Sequence, residues 1–330
     1  MKYSFSLIAL LLTLLGGCST RAPLDRAYYA IEPGSLPQAN VTLHITGLGP
    51  CTDNPDRSLH LDTNQPVNVL VHGCFGSSGE FRGLAQVLAF HGQQTACFTY
   101  DDRDGLTYSA TELRRAVNQL AERTLTPRIT VIGHSQGALI SRRSLTELPL
   151  APPSRQPDLR LVTISGPFDG IAAAQTCGRE WLQVFSLGLL PVTCYIVTGA
   201  KWSDITYSSR FIMEPGALAQ QVSNYLKIDT DERGSCRRAV GGRCIEDDNV
   251  FSLTEQHNLL VENDSRTRRV EVHAGHVEIV GDKRVAPTKL ILILQEQGIL
   301  RETAPERLSA FNLLLARIYH DDELRANAAH

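Results

Sequence analysis

Ile129-Thr130-Val131-Ile132 runs into Gly133-His134-Ser135-Gln136-Gly137, and helix-compatible residues follow at once from Ala138. A chain that leaves an apolar strand for a helix within five residues has few folds open to it. The strand needs apolar cover on both faces, and the helix must cross back over the sheet to supply it. Side chains at positions 133 and 137 would collide with the neighbouring strand and helix, so the glycines permit a strained turn that lifts the Ser135 hydroxyl above the sheet. The following helix aims its N-terminal dipole, and the N–H of Gln136, at whatever reacts there. An ordinary strand-to-helix turn can carry the same five letters; the strand before and the helix after make Ser135 a candidate nucleophile.

Other segments repeat the alternation. Val41-Thr42-Leu43-His44-Ile45 and, more weakly, Ser58-Leu59-His60-Leu61 alternate like half-exposed strands, whereas Val67-Asn68-Val69-Leu70-Val71 is apolar enough for the centre of a sheet. A helix is expected around Phe81–His91, a strand over Thr95–Tyr100, a helix around Ser109–Thr124, a strand over Arg128–Ile132 and a helix from Ser135 to about Glu147. Strands Leu159–Ile164, Tyr225–Ile228 and Arg268–Val272 with the neighbouring Val277–Ile279 follow, then helices around Thr288–Gln297 and Pro305–Ile318. The pattern predicts an α/β fold with a mostly parallel sheet and helices on both faces. Residues from about 168 to 220 interrupt it with helical or irregular patterns carrying Trp181, Phe185, Leu187, Leu189 and Leu190, which read as an insertion over the active edge. With 330 residues, 42% of them hydrophobic, and no repeat or internal linker, residues 41–330 read as one domain.

The N-terminus belongs to targeting. Lys2 precedes an apolar run from Phe5 to Leu15, too short to span a bilayer as a helix, and Leu15-Gly16-Gly17-Cys18 closes it. This resembles the lipobox of bacterial lipoproteins. The resemblance implies a signal peptide over residues 1–17, lipidation of Cys18, and a Pro-rich tether over residues 18–40. Ser19 in place of Asp points to the outer membrane, facing the periplasm. Seven cysteines remain, so at least one stays unpaired; Cys236 with Cys244, flanking a polar Gly-rich stretch, is the first expected disulfide and Cys177 with Cys194 the second. Neither Cys-x-x-Cys nor a histidine pair at zinc-ligand spacing occurs, so no metal or cofactor is expected. A net charge of −3 gives no reason to bind nucleic acid.

The second chemical segment is Val69-Leu70-Val71-His72-Gly73-Cys74-Phe75-Gly76. With the serine turn it resembles the α/β-hydrolase superfamily, in particular lipase- and esterase-like serine hydrolases. The resemblance implies an oxyanion hole formed by the N–H of Gln136 and that of Cys74, with Phe75 as the alternative to Cys74. The Cys74 thiol itself lacks a base placed for attack. Thr163-Ile164-Ser165-Gly166-Pro167-Phe168-Asp169-Gly170 is similar to the lipase segment Thr-Ile-Gly-Thr-Pro-His-x-Gly, and Ser203-Asp204-Ile205-Thr206-Tyr207-Ser208-Ser209-Arg210-Phe211 to a weaker one.

The superfamily orders its triad as nucleophile, acid, histidine, which implies a late histidine. His276, in a loop after a strand and a glycine, is favoured over His273 and His257. For the acid, Asp248 in Asp248-Asn249-Val250-Phe251 fits best; Asp204 is the main alternative unless it caps a helix, and Asp247, Asp231 and Asp169 remain open. These parts imply hydrolysis of an acyl ester, a lipid among the candidate substrates, by an enzyme anchored through Cys18. A thioesterase, amidase or acyltransferase would use the same triad, and a non-catalytic envelope protein would keep the scaffold without the chemistry.

Overall fold

The computed structural model describes residues 34–74, 76–146, 154–171, 201–282 and 284–319, and elements are numbered over these. The signal peptide, Cys18, residues 19–33 of the tether, Phe75, Cys177, Cys194, and the insertion residues Trp181 to Leu190 lie outside the described residues.

Seven strands form the main sheet: β2 (Leu48–Gly49), β4 (Val67–Val71), β5 (Gln94–Phe98), β6 (Arg128–His134), β7 (Asp158–Ile164), β8 (Val222–Asp231) and β11 (Thr267–His273). Their spatial order is β11-β8-β7-β6-β4-β5-β2, parallel throughout except for the antiparallel edge strand β2. Two antiparallel pairs stand outside it, β1 (Val41–Leu43) with β3 (Leu59–Leu61), and β9 (Cys236–Val240) with β10 (Arg243–Asp247).

The strands are apolar because both faces are covered. On one face Val69, Val131, Leu161 and Tyr225 pack with Leu106, Leu113 and Leu120 of α2 (Leu106–Arg123) and Leu139 of α3 (Gln136–Ser144). On the other, Leu70, Ile132, Val162 and Leu226 meet Leu84 and Leu88 of α1 (Arg82–Phe90), Leu290 and Leu294 of α8 (Thr288–Glu296), and Phe311 and Leu315 of α9 (Leu308–Tyr319). Residues one apart on a strand thus feed opposite cores. Four one-turn α-helices, α4 (Lys201–Asp204), α5 (Arg210–Met213), α6 (Leu253–Gln256) and α7 (Leu259–Glu262), and three 3-10 helices, Ser78–Phe81, Glu278–Val280 and Pro305–Arg307, complete the described elements.

From β4 the chain goes outward to β5, then returns past β4 to β6 and continues the other way. Adjacent strands β4 and β6 therefore send their C-terminal connections in opposite directions, which opens a crevice between them. Their register, Val71 opposite Gly133, delivers His72-Gly73-Cys74 and His134-Ser135-Gln136 to it side by side.

One expectation is corrected and one is borne out. Val277–Ile279 is not a strand: a short 3-10 helix spans Glu278–Val280, and the N–H groups of Val277 and Glu278 go to the Asp248 carboxylate instead of a neighbouring strand. The polar stretch between Cys236 and Cys244 is a hairpin, closed by the expected disulfide. A second disulfide, Cys51–Cys97, joins the end of β5 to the loop after β2 with both cysteines fully buried, and Cys74 is left free.

Candidate active site

Ser135 sits at the joint between β6 and α3 with φ 57° and ψ −125°, a strained conformation for a residue with a side chain. The neighbouring glycines explain how it is tolerated. A Cβ at Gly137 would lie 2.3 Å from the carbonyl oxygen of Val71, and one at Gly133 would lie 2.3 Å from that of Gly137, so helix and strand approach as closely as backbone allows. The turn is anchored from below, Ser135 N–H donating to the Ile164 carbonyl of β7 at 2.9 Å. Ser135 opens on a cavity of about 720 Å3 whose lining includes Gly73, Cys74, His134 and His276.

His276 reaches this cavity from the loop beyond β11. Its ring is fixed from three sides: Nδ1 lies 2.8 Å from Glu232 Oε1, Phe251 packs edge-on at 4.8 Å, and the His134 ring lies 4.7 Å away. His134 Nε2 also bonds the His276 carbonyl at 2.9 Å. Burial pushes the His134 imidazole well below its ordinary range, and the nearby His276 adds to the effect.

The acid against His276 is Glu232, which corrects the expectation of Asp248. Glu232 follows directly on β8 and is buried. Four donors converge on its carboxylate: His276 Nδ1 and Thr230 Oγ1 on Oε1, and the N–H groups of Val250 and Phe251 on Oε2, at 2.6 to 2.9 Å. Thr230 is held in turn, its Oγ1 lying 2.7 Å from Ser165 Oγ and its N–H and C=O both bonded to the Gln256 side chain at 2.8 Å. Ser165 itself adopts a positive φ of 49°.

Asp248 works one step back from the ring. Its carboxylate accepts the N–H groups of Val277 and Glu278 at 3.0 Å, and its carbonyl accepts that of His276 at 3.0 Å, so it fixes the loop and not the imidazole. Burial raises this carboxyl against those bonds. Asp204, the alternative acid, caps a helix across the chain, Oδ2 accepting the Leu106 N–H of α2 at 2.7 Å. Asp231 is chelated by Arg233, Asp247 accepts the N–H of Asn249, and the Asp169 N–H donates to the Glu255 carbonyl. His273 ends β11 and His257 follows α6 beside Arg269 and Asp229, so neither is the histidine bonded to Glu232.

The two expected oxyanion residues flank Ser135. Gln136 opens α3, its side chain donating to the Asp102 carbonyl at 3.2 Å; Cys74 follows β4 and lines the cavity. Tyr100 steadies the β4 end, stacking on His72 at 4.4 Å and donating to its carbonyl at 2.8 Å. No cluster of His, Cys, Asp and Glu suited to a metal occurs among the described residues.

Residues 63–190, the stretch that carries β4 and the serine turn, match the family described as "Putative serine esterase (DUF676)". The chain is a serine hydrolase of the α/β-hydrolase fold. A Bacillus licheniformis lipase, BlEst2, in its propeptide form superposes on this hydrolase with a TM-score of 0.53 at 13% identity, covering 78% of the present chain and 54% of the lipase chain. The mature form of that lipase gives 0.49 at 13% identity, over 77% of this chain and 97% of the other. A Pyrococcus furiosus esterase, Pf2001, gives 0.41 at 16% identity, over 90% and 95%. At such identities these likenesses bear on fold alone, and only the first is close enough to argue from. No curated protein matches the hydrolase.

Glu232 carried one sequence signal: it directly follows a strand in the expected position for the acid. The predicted strand stopped at Ile228, three residues before β8 ends, and that hid the signal.

Proposed function

We propose that the protein cleaves carboxylic esters through an acyl-enzyme on Ser135, with His276 as general base and Glu232 as the acid that orients it. The observation that carries this reading is one cavity receiving the strained Ser135 hydroxyl and an imidazole whose other nitrogen is already bonded to a buried carboxylate. With Nδ1 committed to Glu232, Nε2 is the nitrogen available to take the serine proton. Ser135 Oγ attacks the acyl carbon, the carbonyl oxygen becomes an oxyanion, and the N–H groups of Cys74 and Gln136 hold its charge. One such donor is worth about 3–4 kcal/mol of barrier in other serine hydrolases. Imidazolium then protonates the departing alcohol, and water, activated by the same nitrogen, releases the carboxylic acid and restores Ser135.

The cavity wall mixes Phe81, Val277, Val280, Ile318 and Tyr319 with charged side chains, a surface that admits an acyl chain beside polar groups. p-Nitrophenyl esters of graded chain length, offered to a form lacking residues 1–18, should be hydrolysed with saturable kinetics. Ser135→Ala should abolish both this turnover and covalent labelling by a fluorophosphonate; turnover persisting in that variant would end the proposal.

The mature chain is held in the bacterial envelope through lipidated Cys18, at the outer membrane on its periplasmic side, near ester-bearing lipids. The lipobox-like Leu15-Gly16-Gly17-Cys18 supports this. Radiolabelled palmitate should enter the full chain and not its Cys18→Ala variant, and equal labelling of both would overturn the anchor.

A further inference from the structure

Beside the proposed oxyanion hole lies a buried charged group that the triad does not use. Lys201 of α4 is only 3% exposed, yet its ammonium reaches two partners from distant parts of the chain: Cys74 Sγ at 2.8 Å and Asp102 Oδ2 at 2.9 Å. Asp102, in the loop between β5 and α2, uses its main-chain carbonyl to accept the Gln136 side chain at 3.2 Å. These contacts run in one line from Cys74 through Lys201 and Asp102 to Gln136, the two ends being the residues whose N–H groups are read as oxyanion donors.

Lys201 is taken almost wholly out of water and Asp102 keeps 19% of its side chain exposed; burying such an ion costs several kcal/mol, and the pairing seldom repays more than that. Stability alone is therefore a poor reason for this pair. Its position supplies another. Cys74 begins the turn after β4 and reaches toward the cavity from a half-buried site, and its thiol is gripped from outside its own loop by Lys201. Gln136 is fixed by its helix and by Asp102.

We propose that Lys201 and Asp102 form a brace that holds the Cys74 and Gln136 N–H groups at the spacing an oxyanion needs, the Cys74 thiol serving as the handle on one side. This rests on the esterase reading above and adds two positioning residues to it. Lys201 acts through Cys74; its charge, within one residue of the hole, also favours the oxyanion over the neutral ground-state carbonyl. Burial pushes the Cys74 thiol up while Lys201 pulls it back, so the sulfur serves as a hydrogen-bond acceptor and not as a nucleophile.

The test uses p-nitrophenyl butyrate on the complete folded protein. A brace acts in the transition state, so Lys201→Met and Cys74→Ala should each lower kcat by about tenfold or more with KM within about twofold. Cys74→Ser, which restores an acceptor for Lys201, should recover most of kcat, and the rate of fluorophosphonate labelling should fall and recover in parallel. A merely structural role would lower the melting temperature without this split. If Lys201→Met fails to fold, the Cys74→Ala and Cys74→Ser pair decides: wild-type kcat in Cys74→Ala, or no recovery in Cys74→Ser, overturns the brace. A wild type inert to both ester and fluorophosphonate would overturn the esterase reading instead.

Discussion

At the scale of single residues, two buried carboxylates stand near His276 and do different work. Glu232 bonds the ring, and Asp248 bonds the backbone of the loop that carries it. Glu232→Gln keeps the shape but turns an acceptor into a group that can present an amide to Nδ1, favouring the wrong tautomer; a comparable change in a serine protease triad lowers kcat by about 10⁴-fold. Asp248→Asn weakens bonds to two N–H groups, for which about 1–3 kcal/mol of stability is the expected loss. Both variants weaken bonds to buried N–H groups and should lower the urea midpoint, so steady-state kinetics separates them: Glu232→Gln loses turnover by orders of magnitude, and Asp248→Asn shows a much smaller drop. The reverse ranking would return the acid's role to Asp248.

At the scale of elements, the β9–β10 hairpin lies against the cleft while burying almost nothing of itself. Nearly all of its residues are exposed, yet Arg237 and Glu246 line the cavity. It is joined to the loop after β11 by Arg237 with Asp282 at 3.6 Å and by the more exposed pair Arg284 with Glu246 at 3.1 Å, the latter of the kind worth about 0–1 kcal/mol. Its own shape therefore depends on the Cys236–Cys244 disulfide. Replacing both cysteines by serine should leave the urea midpoint of the whole domain almost unchanged but raise KM for p-nitrophenyl esters, as the cleft wall loosens. An unchanged KM would show that the hairpin does not contact substrate.

At the scale of the whole molecule, burial sets how stability responds to acid. His72, His91 and His134 are all pushed below the ordinary imidazole range, burial being the largest cause in each. A histidine depressed in the fold stays neutral there while its unfolded counterpart takes a proton below about pH 6.5, so the unfolded state binds more protons and folding weakens as pH falls. Urea midpoints should fall steadily from pH 7.5 to 5.5. His91→Gln, remote from the cleft, should flatten that slope, and an unchanged slope would remove His91 from the account.

The sheet, the serine turn and the glycines that permit it were legible in the sequence because they are local. Apolar runs, a five-residue turn and a following helix are written in consecutive residues, and buried parallel strands tolerate little else. His276 was legible for a similar reason, lying in a loop just past a strand. The acid was not. Asp248 and Glu232 are both buried, and both follow a strand. What assigns one to the ring and the other to the loop is the pairing of β8 with β11, which sets His273 opposite Asp231 and so brings Glu232 beside the loop that ends in His276. Lys201 is a stronger case, since it meets Cys74 across 127 positions of sequence. Sequence by itself determined the central strands, the long helices and the strained serine, whose constraints act within a few bonds. Tertiary structure alone decided which carboxylate and which lysine reach the site, because hydrogen bonds are satisfied by distance in space and carry no mark along the chain.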